Sequence, residues 1–242
     1  MIRIEKLSVS YGESVVVDDL SVEVNAGVLF GLLGPNGAGK TTTLGCLCGL
    51  HEHFLGTAEL NGIDVREDPR RAKSMVGYVP QELALYPELT VLKNLEVFGG
   101  LAGLNGRSLS SRIDWALEVA QLSSRRRDLV DTLSGGMKRR LNMVASLLHR
   151  PKVIVCDEPT TGVDPQSRNH LFETIKRFHQ DGCTVIYTTH YMEEVEALCE
   201  DVAIMDHGHL IAHDKLDILL QDKANLEELF LELTGRGLRD AP

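Results

Sequence analysis

Residues 28–42 constrain the fold of this chain more than any other segment. Residues 28–33 (VLFGLL) are continuously apolar, which is typical of a strand covered on both faces. The residues that follow fit the pattern G-x-x-x-x-G-K-[ST], and they are Gly34, Pro35, Asn36, Gly37, Ala38, Gly39, Lys40, Thr41 and Thr42. In such a loop main-chain N–H groups surround phosphate oxygens, and the start of the next helix adds a favourable dipole. The pattern therefore predicts a nucleotide-phosphate site, in which Lys40 reaches the β- and γ-phosphates and Thr41 binds Mg²⁺. The alternative is a Gly-rich turn that binds no ligand.

The periodicity of the remaining chain predicts an α/β fold. Alternating or continuously apolar segments predict strands at residues 2–9, 15–24, 153–157, 184–189, 201–206 and 209–213. One helix is expected to begin near Gly39 and another to run from Pro165 to about Gln180, because proline suits the first turn of a helix. This alternation predicts a mainly parallel sheet in a three-layer core.

Residues 90–149 interrupt the alternation of strands and helices. Three helical patterns, at residues 90–102, 109–121 and 134–149, follow one another without a strand between them. We interpret residues 88–149 as a helical subdomain inserted into a single domain that spans residues 1–233, with a tail at 234–242. Within that domain, residues 215–233 are amphipathic and are expected to pack on the core or on a second subunit.

A second candidate site feature is the apolar segment at residues 153–159 (VIVCDEP), which ends in two acids, Asp157 and Glu158. The carboxyl end of a strand is where α/β sheets place ligands. One carboxylate is suited to hold Mg²⁺ through water, and its neighbour to polarise an attacking water molecule. The alternative is an acidic strand end that caps the next helix.

A third feature is the run Leu133-Ser134-Gly135-Gly136-Met137 directly before a helical pattern. Ser134 is placed to cap that helix, whose first N–H groups would form a second anion cradle. This cradle has no lysine, so its nucleotide would have to come from elsewhere, which predicts head-to-tail dimerisation. The alternative is a flexible turn, which most SGG sequences form.

Seven motifs occur along the chain in an order that resembles the nucleotide-binding subunit of an ATP-binding cassette (ABC) transporter. The resemblance covers essentially the full length of the chain. The motifs are Tyr11, the loop at residues 34–42, Gln81, residues 133–137 (LSGGM), Asp157 with Glu158, residues 160–164 (TTGVD) and His190. The resemblance implies a P-loop NTPase core with a mainly parallel sheet, an antiparallel N-terminal β subdomain and an inserted helical subdomain.

The resemblance also implies roles for these residues, with ATP and Mg²⁺ as cofactors. Tyr11 would stack on adenine, and Gln81 would contact Mg²⁺ and report to a membrane partner. Asp157 would support the metal and Glu158 would be the catalytic base, while His190 would hold the γ-phosphate and orient the water. The remaining nucleotide-binding positions would be Ser134, Gly135, Gly136 and Asp164.

The chain departs from the family pattern at two motifs. Met137 stands where glutamine is commonest, and TTGVD replaces the commoner SGLD. Phosphate contacts of this motif come mainly from Ser134 and the following main chain, so activity is expected to survive. SGGM, together with residues 189–208 and 226–236, resembles the drug- and polysaccharide-exporting subgroup, whose permeases are of the type-2 class.

Composition excludes several classes of function. Lys plus Arg total 25 and Asp plus Glu total 35, so the net charge of −10 argues against a general nucleic-acid binder. The longest uncharged stretch, residues 24–39, is rich in glycine and is no membrane span, and residues 1–9 lack the apolar segment of a signal peptide. Five cysteines without paired CxxC spacing favour a reduced, cytosolic setting. Combined with the family resemblance, this setting implies a cytoplasmic subunit held at the inner face of the cell membrane by its permease.

Several alternatives stay open at the level of sequence. His207, His209 and His213 would suggest a metal site, although solvated hairpin residues are the preferred interpretation. Residues 125–127 (RRR) form either a solvated loop or a contact with the permease or lipid head groups. The rival functions are a soluble ABC ATPase that is not coupled to transport, and a module that senses ATP without hydrolysing it. The substrate, the permease and the pairing of the dimer, with itself or with a paralogue, are not determined by these motifs.

Overall fold

The computed structural model describes residues 1–235. Of the predicted tail at 234–242, residues 236–242 lie outside the described residues. The strands are β1 Ile2–Tyr11, β2 Ser14–Val24, β3 Leu29–Leu33, β4 Leu55–Leu60, β5 Ile63–Asp64, β6 Val76–Val79, β7 Val153–Asp157, β8 Thr184–Thr189, β9 Asp201–Asp206 and β10 His209–Lys215. The helices are α1 Lys40–Leu47, α2 Pro69–Met75, α3 Val91–Leu101, α4 Gly106–Val119, α5 Gly135–Ser146, α6 Pro165–Gln180, α7 Met192–Leu198, α8 Leu216–Leu219 and α9 Leu226–Thr234.

Two sheets form the α/β core. One has the strand order β10-β9-β3-β8-β7-β6, and every neighbouring pair in it is parallel except β10 with β9. The other is antiparallel, with the order β2-β1-β4-β5. The predicted fold class, a mainly parallel sheet with an N-terminal antiparallel β unit, is confirmed.

The order of the parallel strands gathers three loops at one edge of the sheet. Strand β8 lies between β3 and β7, with Leu33 paired to Thr189 and Asp157 paired to Thr188. All three strands are fully buried, since helices cover both faces of a parallel sheet. Their carboxyl ends therefore bring the segments after Leu33, Asp157 and Thr189 together.

Helices α3, α4 and α5 lie between β6 and β7, as the helical patterns predict. They enclose a core of their own, whose largest members include Leu95, Leu117, Leu141 and Leu148. Trp115 on α4 packs against both this core and that of the parallel sheet. The ring of Trp115 meets Phe178 of α6 edge-on, with centroids 5.9 Å apart. The helical unit thus lies directly against the α/β core.

Sequence periodicity does not predict β4, β5, α2, β6 or α7. These elements have two to seven residues and lack the continuous apolar run that marks the equally short strands β3 and β7. The four-residue strand β6 matters for the site, because Gln81 follows it closely. Gly77 in β6 lets Ser146 approach, since a Cβ there would lie 2.7 Å from the Ser146 carbonyl oxygen.

Candidate nucleotide-binding and catalytic site

The loop between β3 and α1 depends on glycines for its shape. Gly39 has φ of +100°, and a Cβ there would lie 2.9 Å from the Val16 carbonyl oxygen. A Cβ at Gly34 would lie 2.3 Å from the Met205 carbonyl oxygen. A side chain at either position would therefore displace main chain, which explains why the turn is built from glycine.

A cavity of about 240 Å³ opens on this loop. It is lined by Val16, Asn36, Gly37, Ala38, Gly39, Lys40, Thr41, Thr42, Gln81 and Glu158. The Lys40 ammonium group donates to the carbonyl oxygens of Gly34 at 2.7 Å and Pro35 at 3.2 Å. It also lies 3.3 Å from Glu158 Oε1, in an ion pair whose side chains are only 4% and 6% exposed. The predicted phosphate loop and the predicted base thus share one cation.

Three hydroxyl groups from different segments donate to the Asp157 carboxylate. The Thr188 hydroxyl donates to Oδ1 at 2.8 Å, and the Thr41 hydroxyl to the same oxygen at 3.2 Å. The Tyr78 hydroxyl donates to Oδ2 at 3.2 Å. Burial, together with the Asp157 charge and hydrogen bond, raises the pKa of Tyr78 well above its ordinary value, so Tyr78 stays a donor.

Glu158 lies immediately after β7 and is buried among predicted site residues. Its Oε2 accepts a hydrogen bond from Gln81 Nε2 at 3.2 Å and lies 3.2 Å from His190 Nδ1. The Thr161 hydroxyl donates to the same oxygen at 3.4 Å. The helix that follows, α6, is capped by the Asp164 side chain, which accepts from the Ser167 N–H at 2.9 Å. The alternative that Glu158 caps the next helix is therefore wrong.

The backbone of Glu158 is strained, with φ of +44°. A left-handed conformation is unfavourable for a residue with a Cβ, and such outliers cluster at functional sites. The turn aims the carboxylate into the cavity beside Lys40, where it meets Gln81 and His190.

A buried network supports the loop that carries His190. The Glu194 carboxylate is 3% exposed and accepts from the hydroxyls of Tyr187 at 2.7 Å, Thr160 at 2.9 Å and Thr189 at 3.0 Å. The Thr189 hydroxyl in turn accepts from the Tyr191 N–H at 3.0 Å. The residues on either side of His190 are thereby held by one carboxylate.

The predicted nucleotide-binding residues away from the loop at 34–42 are not among the residues that line this cavity. Ser134 caps α5, where its hydroxyl oxygen accepts from the Met137 N–H at 3.3 Å, and Gly135 beside it is exposed. Gly136 is buried against α6, since a Cβ there would lie 1.9 Å from Ser167 Oγ and 3.0 Å from Asp164 Oδ2.

Tyr11 also lies outside the lining, at the end of β1. Its side chain is 52% exposed, and its hydroxyl lies 3.2 Å from His51 Nε2. The exposed ring is the group for which adenine stacking is predicted.

Thr161 belongs to the predicted motif at residues 160–164, but sequence reasoning missed three other residues that organise the site, namely Tyr78, Arg139 and Thr188. Only Thr188 carries a local signal, since it belongs to a threonine pair at the end of an apolar strand before His190. The others reach the carboxylates or their neighbours from segments far away in sequence. The alternative metal-site residues His207, His209 and His213 are all exposed on or beside the β9–β10 hairpin. No helix within residues 1–235 is long and apolar enough to span a membrane.

A phosphate loop that leads into a helix, with two buried acids at the end of strand β7 in the same parallel sheet, defines a P-loop nucleotide-binding protein. The chain belongs to the ABC transporter family, whose sequence profile matches residues 17–161. Within that family it is an ATP-binding and ATP-hydrolysing subunit that energises transport. The family expected from the motifs is confirmed.

Two bacterial proteins are similar to this chain over most of its length. The linearmycin resistance ATP-binding protein LnrL of Bacillus subtilis (strain 168) is 46% identical over 212 residues, which cover 88% of this chain and 68% of the relative. The Nod factor export ATP-binding protein I of Ralstonia nicotianae is 45% identical over 215 residues, which cover 89% of this chain and 67% of the relative. The chain thus spans about two thirds of the length of these relatives.

Solved structures share the fold. The ATP-binding subunit of an ABC transporter has a TM-score of 0.87 at 29% identity, covering 96% of this chain and 99% of that one. A dimeric ATP-binding cassette in a post-hydrolysis state, bound to ADP and Pi, has a TM-score of 0.78 at 23% identity. The match covers 89% of this chain and 98% of that chain. At 23% identity, the second comparison shows a common fold.

Proposed function

We propose that the cavity beside the phosphate loop is the ATPase site, with Glu158 as the general base. The observation that carries this assignment is the single buried carboxylate that contacts Lys40, Gln81 and His190 together. A base must lie within hydrogen-bonding reach of the water that it deprotonates, and Glu158 faces the cavity next to the phosphate loop. Lys40 and the loop amides of residues 34–42 hold the phosphates, and His190 orients the γ-phosphate and the water.

The residues at the cavity also fit Mg²⁺. The Thr41 hydroxyl and the Asp157 carboxylate are 3.2 Å apart, and Gln81 lines the same cavity. Hydroxyl, carboxylate and amide oxygens are the ligands that Mg²⁺ takes, usually together with water and substrate phosphates. When bound, Mg²⁺ would neutralise charge on the β- and γ-phosphates. We assign Thr41 and Gln81 as metal-binding residues, and Asp157 as the carboxylate that supports the metal.

In this proposal the Lys40 cation passes from Glu158 to the γ-phosphate when ATP binds. Its ammonium group, paired here with Glu158, also lies at the phosphate loop. A γ-phosphate that takes over the cation leaves Glu158 held by the neutral donors Gln81 and Thr161, and beside His190. With that ion pair broken, the Glu158 carboxylate faces the cavity as the proton acceptor for the attacking water.

The second cradle completes the site from another subunit in this proposal. Ser134, Gly135 and Gly136 start α5 but do not line the cavity of their own chain. A head-to-tail dimer would place them over the phosphates bound by the partner's loop, with Tyr11 on the base and Asp164 at the subunit boundary. The partner is either a second copy of this chain or a paralogue.

Transport requires a membrane partner. The relatives are named for linearmycin resistance and Nod factor export, which supports a role in export with a permease of the type-2 class. The subunit would then lie at the inner face of the cell membrane, bound to that permease, with no nucleic-acid partner. These names disfavour the alternative of an ABC ATPase without a transport role.

The variant Glu158→Gln tests the assignment. It keeps size and hydrogen-bonding capacity but removes the proton acceptor, so turnover should fall about 10²–10⁴-fold, the usual contribution of a general base. ATP binding should persist, because Lys40, Thr41 and the loop amides are unchanged. The ATP-bound dimer should therefore accumulate, visible as a shift to dimer in size-exclusion chromatography with Mg-ATP. Near-normal hydrolysis by the folded variant would remove Glu158 from the mechanism.

A further inference from the structure

One arginine links the helix of the second cradle to the catalytic base. Arg139 lies in α5, just after Ser134, Gly135 and Gly136, and is 9% exposed. Its side chain leaves the helical unit and reaches the α/β core. Nη1 donates to the carbonyl oxygens of Gln81 and, at 3.5 Å, Pro80. Nη2 donates to the Thr161 carbonyl oxygen at 3.1 Å.

The two segments held by this guanidinium are the ones whose side chains hold Glu158. Gln81 Nε2 donates to Glu158 Oε2 at 3.2 Å, and the Thr161 hydroxyl donates to the same oxygen at 3.4 Å. Gln81 follows β6 and Thr161 follows β7, so the segments are far apart in sequence. Arg139 fixes their main chains relative to each other, and this fixes two donors on one carboxylate.

We propose that Arg139 is a positioning residue that makes the catalytic competence of Glu158 depend on what binds at the cradle of the same chain. This proposal rests on the proposed function, since the cradle ligand is the triphosphate of a nucleotide bound to the partner subunit. Arg139 lies three residues after Gly136 in α5, so it lies within one helical turn of the cradle. A phosphate that pulls on the start of α5 therefore acts on Arg139 and, through it, on Gln81 and Thr161.

The chemistry of the position explains why an arginine is needed. The carbonyl oxygens lie on two separate segments, and a planar guanidinium presents donors in both directions, whereas an ammonium group is a point charge. Within residues 1–235 no carboxylate forms an ion pair with Arg139, and burial lowers its pKa. A nearly buried cation held only by carbonyl dipoles is costly to maintain, which is consistent with a role beyond packing.

The test compares Arg139→Lys and Arg139→Ala with Lys138→Ala, whose ammonium group instead lies 3.7 Å from Asp131 at the surface. ATP affinity is measured with a fluorescent ATP analogue, turnover as a function of ATP concentration, and folding by thermal unfolding. Displacing catalytic groups by about 1 Å can cost about 10²-fold in rate. Arg139→Lys should therefore lose about 10-fold to 10²-fold in kcat, keep its ATP affinity, and hydrolyse ATP with a Hill coefficient closer to 1 than the wild type.

Three results would overturn the proposal. The first is wild-type turnover and cooperativity in Arg139→Lys. The second is a loss of ATP affinity and melting temperature in Arg139→Lys that parallels its loss of turnover, which would mark a purely structural residue. The third is the same loss of turnover in Lys138→Ala. Failure of the proposed function would show differently, as Glu158→Gln retaining turnover. If Glu158→Gln is inactive and Arg139→Lys is normal, the base assignment stands and only the positioning role fails.

Discussion

At the scale of single residues, the site is organised around one buried charge cluster. Glu158 lies between Lys40 and His190, with Gln81 and Thr161 donating to it. Removing one member of a buried ion pair leaves the other charge without compensation, which costs more than a surface contact. The strained φ of +44° at Glu158 persists because these contacts determine its position.

Lys40→Ala should abolish ATP binding or weaken it too far to support turnover. Lys40 is the side-chain cation of the phosphate loop, and loss of a buried charge-assisted contact costs about 1.5–3 kcal/mol, which is at least about tenfold in affinity. Equilibrium titration with a fluorescent ATP analogue measures the change. Lys93→Ala, whose side chain is 61% exposed, is the matched control. Wild-type affinity in Lys40→Ala would contradict the assignment of the loop.

At the scale of elements, two histidines lie where the helical unit meets the core. His149 follows α5, and its Nε2 lies 3.0 Å from the Val76 carbonyl oxygen of β6. His170 of α6 has Nε2 2.9 Å from the Val119 carbonyl oxygen of α4. Burial lowers the pKa of both imidazoles below the ordinary value of 6.5, more than their carbonyl partners raise it.

These lowered pKa values make the interface sensitive to acid. Below pH 6.5 the unfolded chain binds protons that the folded chain does not, so the free energy of unfolding should fall as the pH drops through 6.5 towards the folded pKa values. Replacing both His149 and His170 by glutamine should make this fall shallower. Urea unfolding at pH 7.5 and at about 5.5 measures the difference. The control is His207→Gln, at a side chain that is 66% exposed; it should lose as much free energy of unfolding between the two pH values as the wild type. A loss of wild-type size in the double variant would refute the prediction.

At the scale of the whole molecule, the chain has two helix starts suited to phosphate but places a lysine at one of them. Lys40 begins α1 beside the cavity, whereas Ser134 caps α5 and is exposed outside it. Ser134 is not among the residues that line the cavity beside Lys40. In a dimer in which each cradle covers the partner's phosphate loop, both helix starts would contact the same nucleotide phosphates.

Mixing two inactive variants tests this arrangement. In a dimer of one Lys40→Ala and one Ser134→Arg subunit, both defects fall in the same composite site and leave the other site whole. ATPase activity should therefore exceed that of either variant alone. Mixing Lys40→Ala with Thr41→Ala damages both loops and should restore nothing. Heterodimers that form without any gain in activity would contradict the composite site.

The helices and strands that were predicted well have unambiguous local patterns. The helix predicted from Pro165 to about Gln180 has these bounds in α6, and the strand predicted at 28–33 is β3, Leu29–Leu33. The helix predicted at 109–121 begins earlier, at Gly106, with a main-chain start that no side chain caps. The short elements β4, β5, α2, β6 and α7 escaped prediction because tertiary pairing, rather than local periodicity, stabilises them.

The sequence by itself determined the phosphate loop, the acid pair and the order of the motifs, because glycine conformation, helix starts and strand ends are local properties of the chain. Only the tertiary structure decided which groups surround each carboxylate. Tyr78 reaches Asp157, and Arg139 reaches the main chain of Gln81 and Thr161, because the parallel sheet orders its strands as β3-β8-β7-β6 and the helical unit packs beside them. Such contacts join segments distant along the chain, and their partners are set by packing in three dimensions.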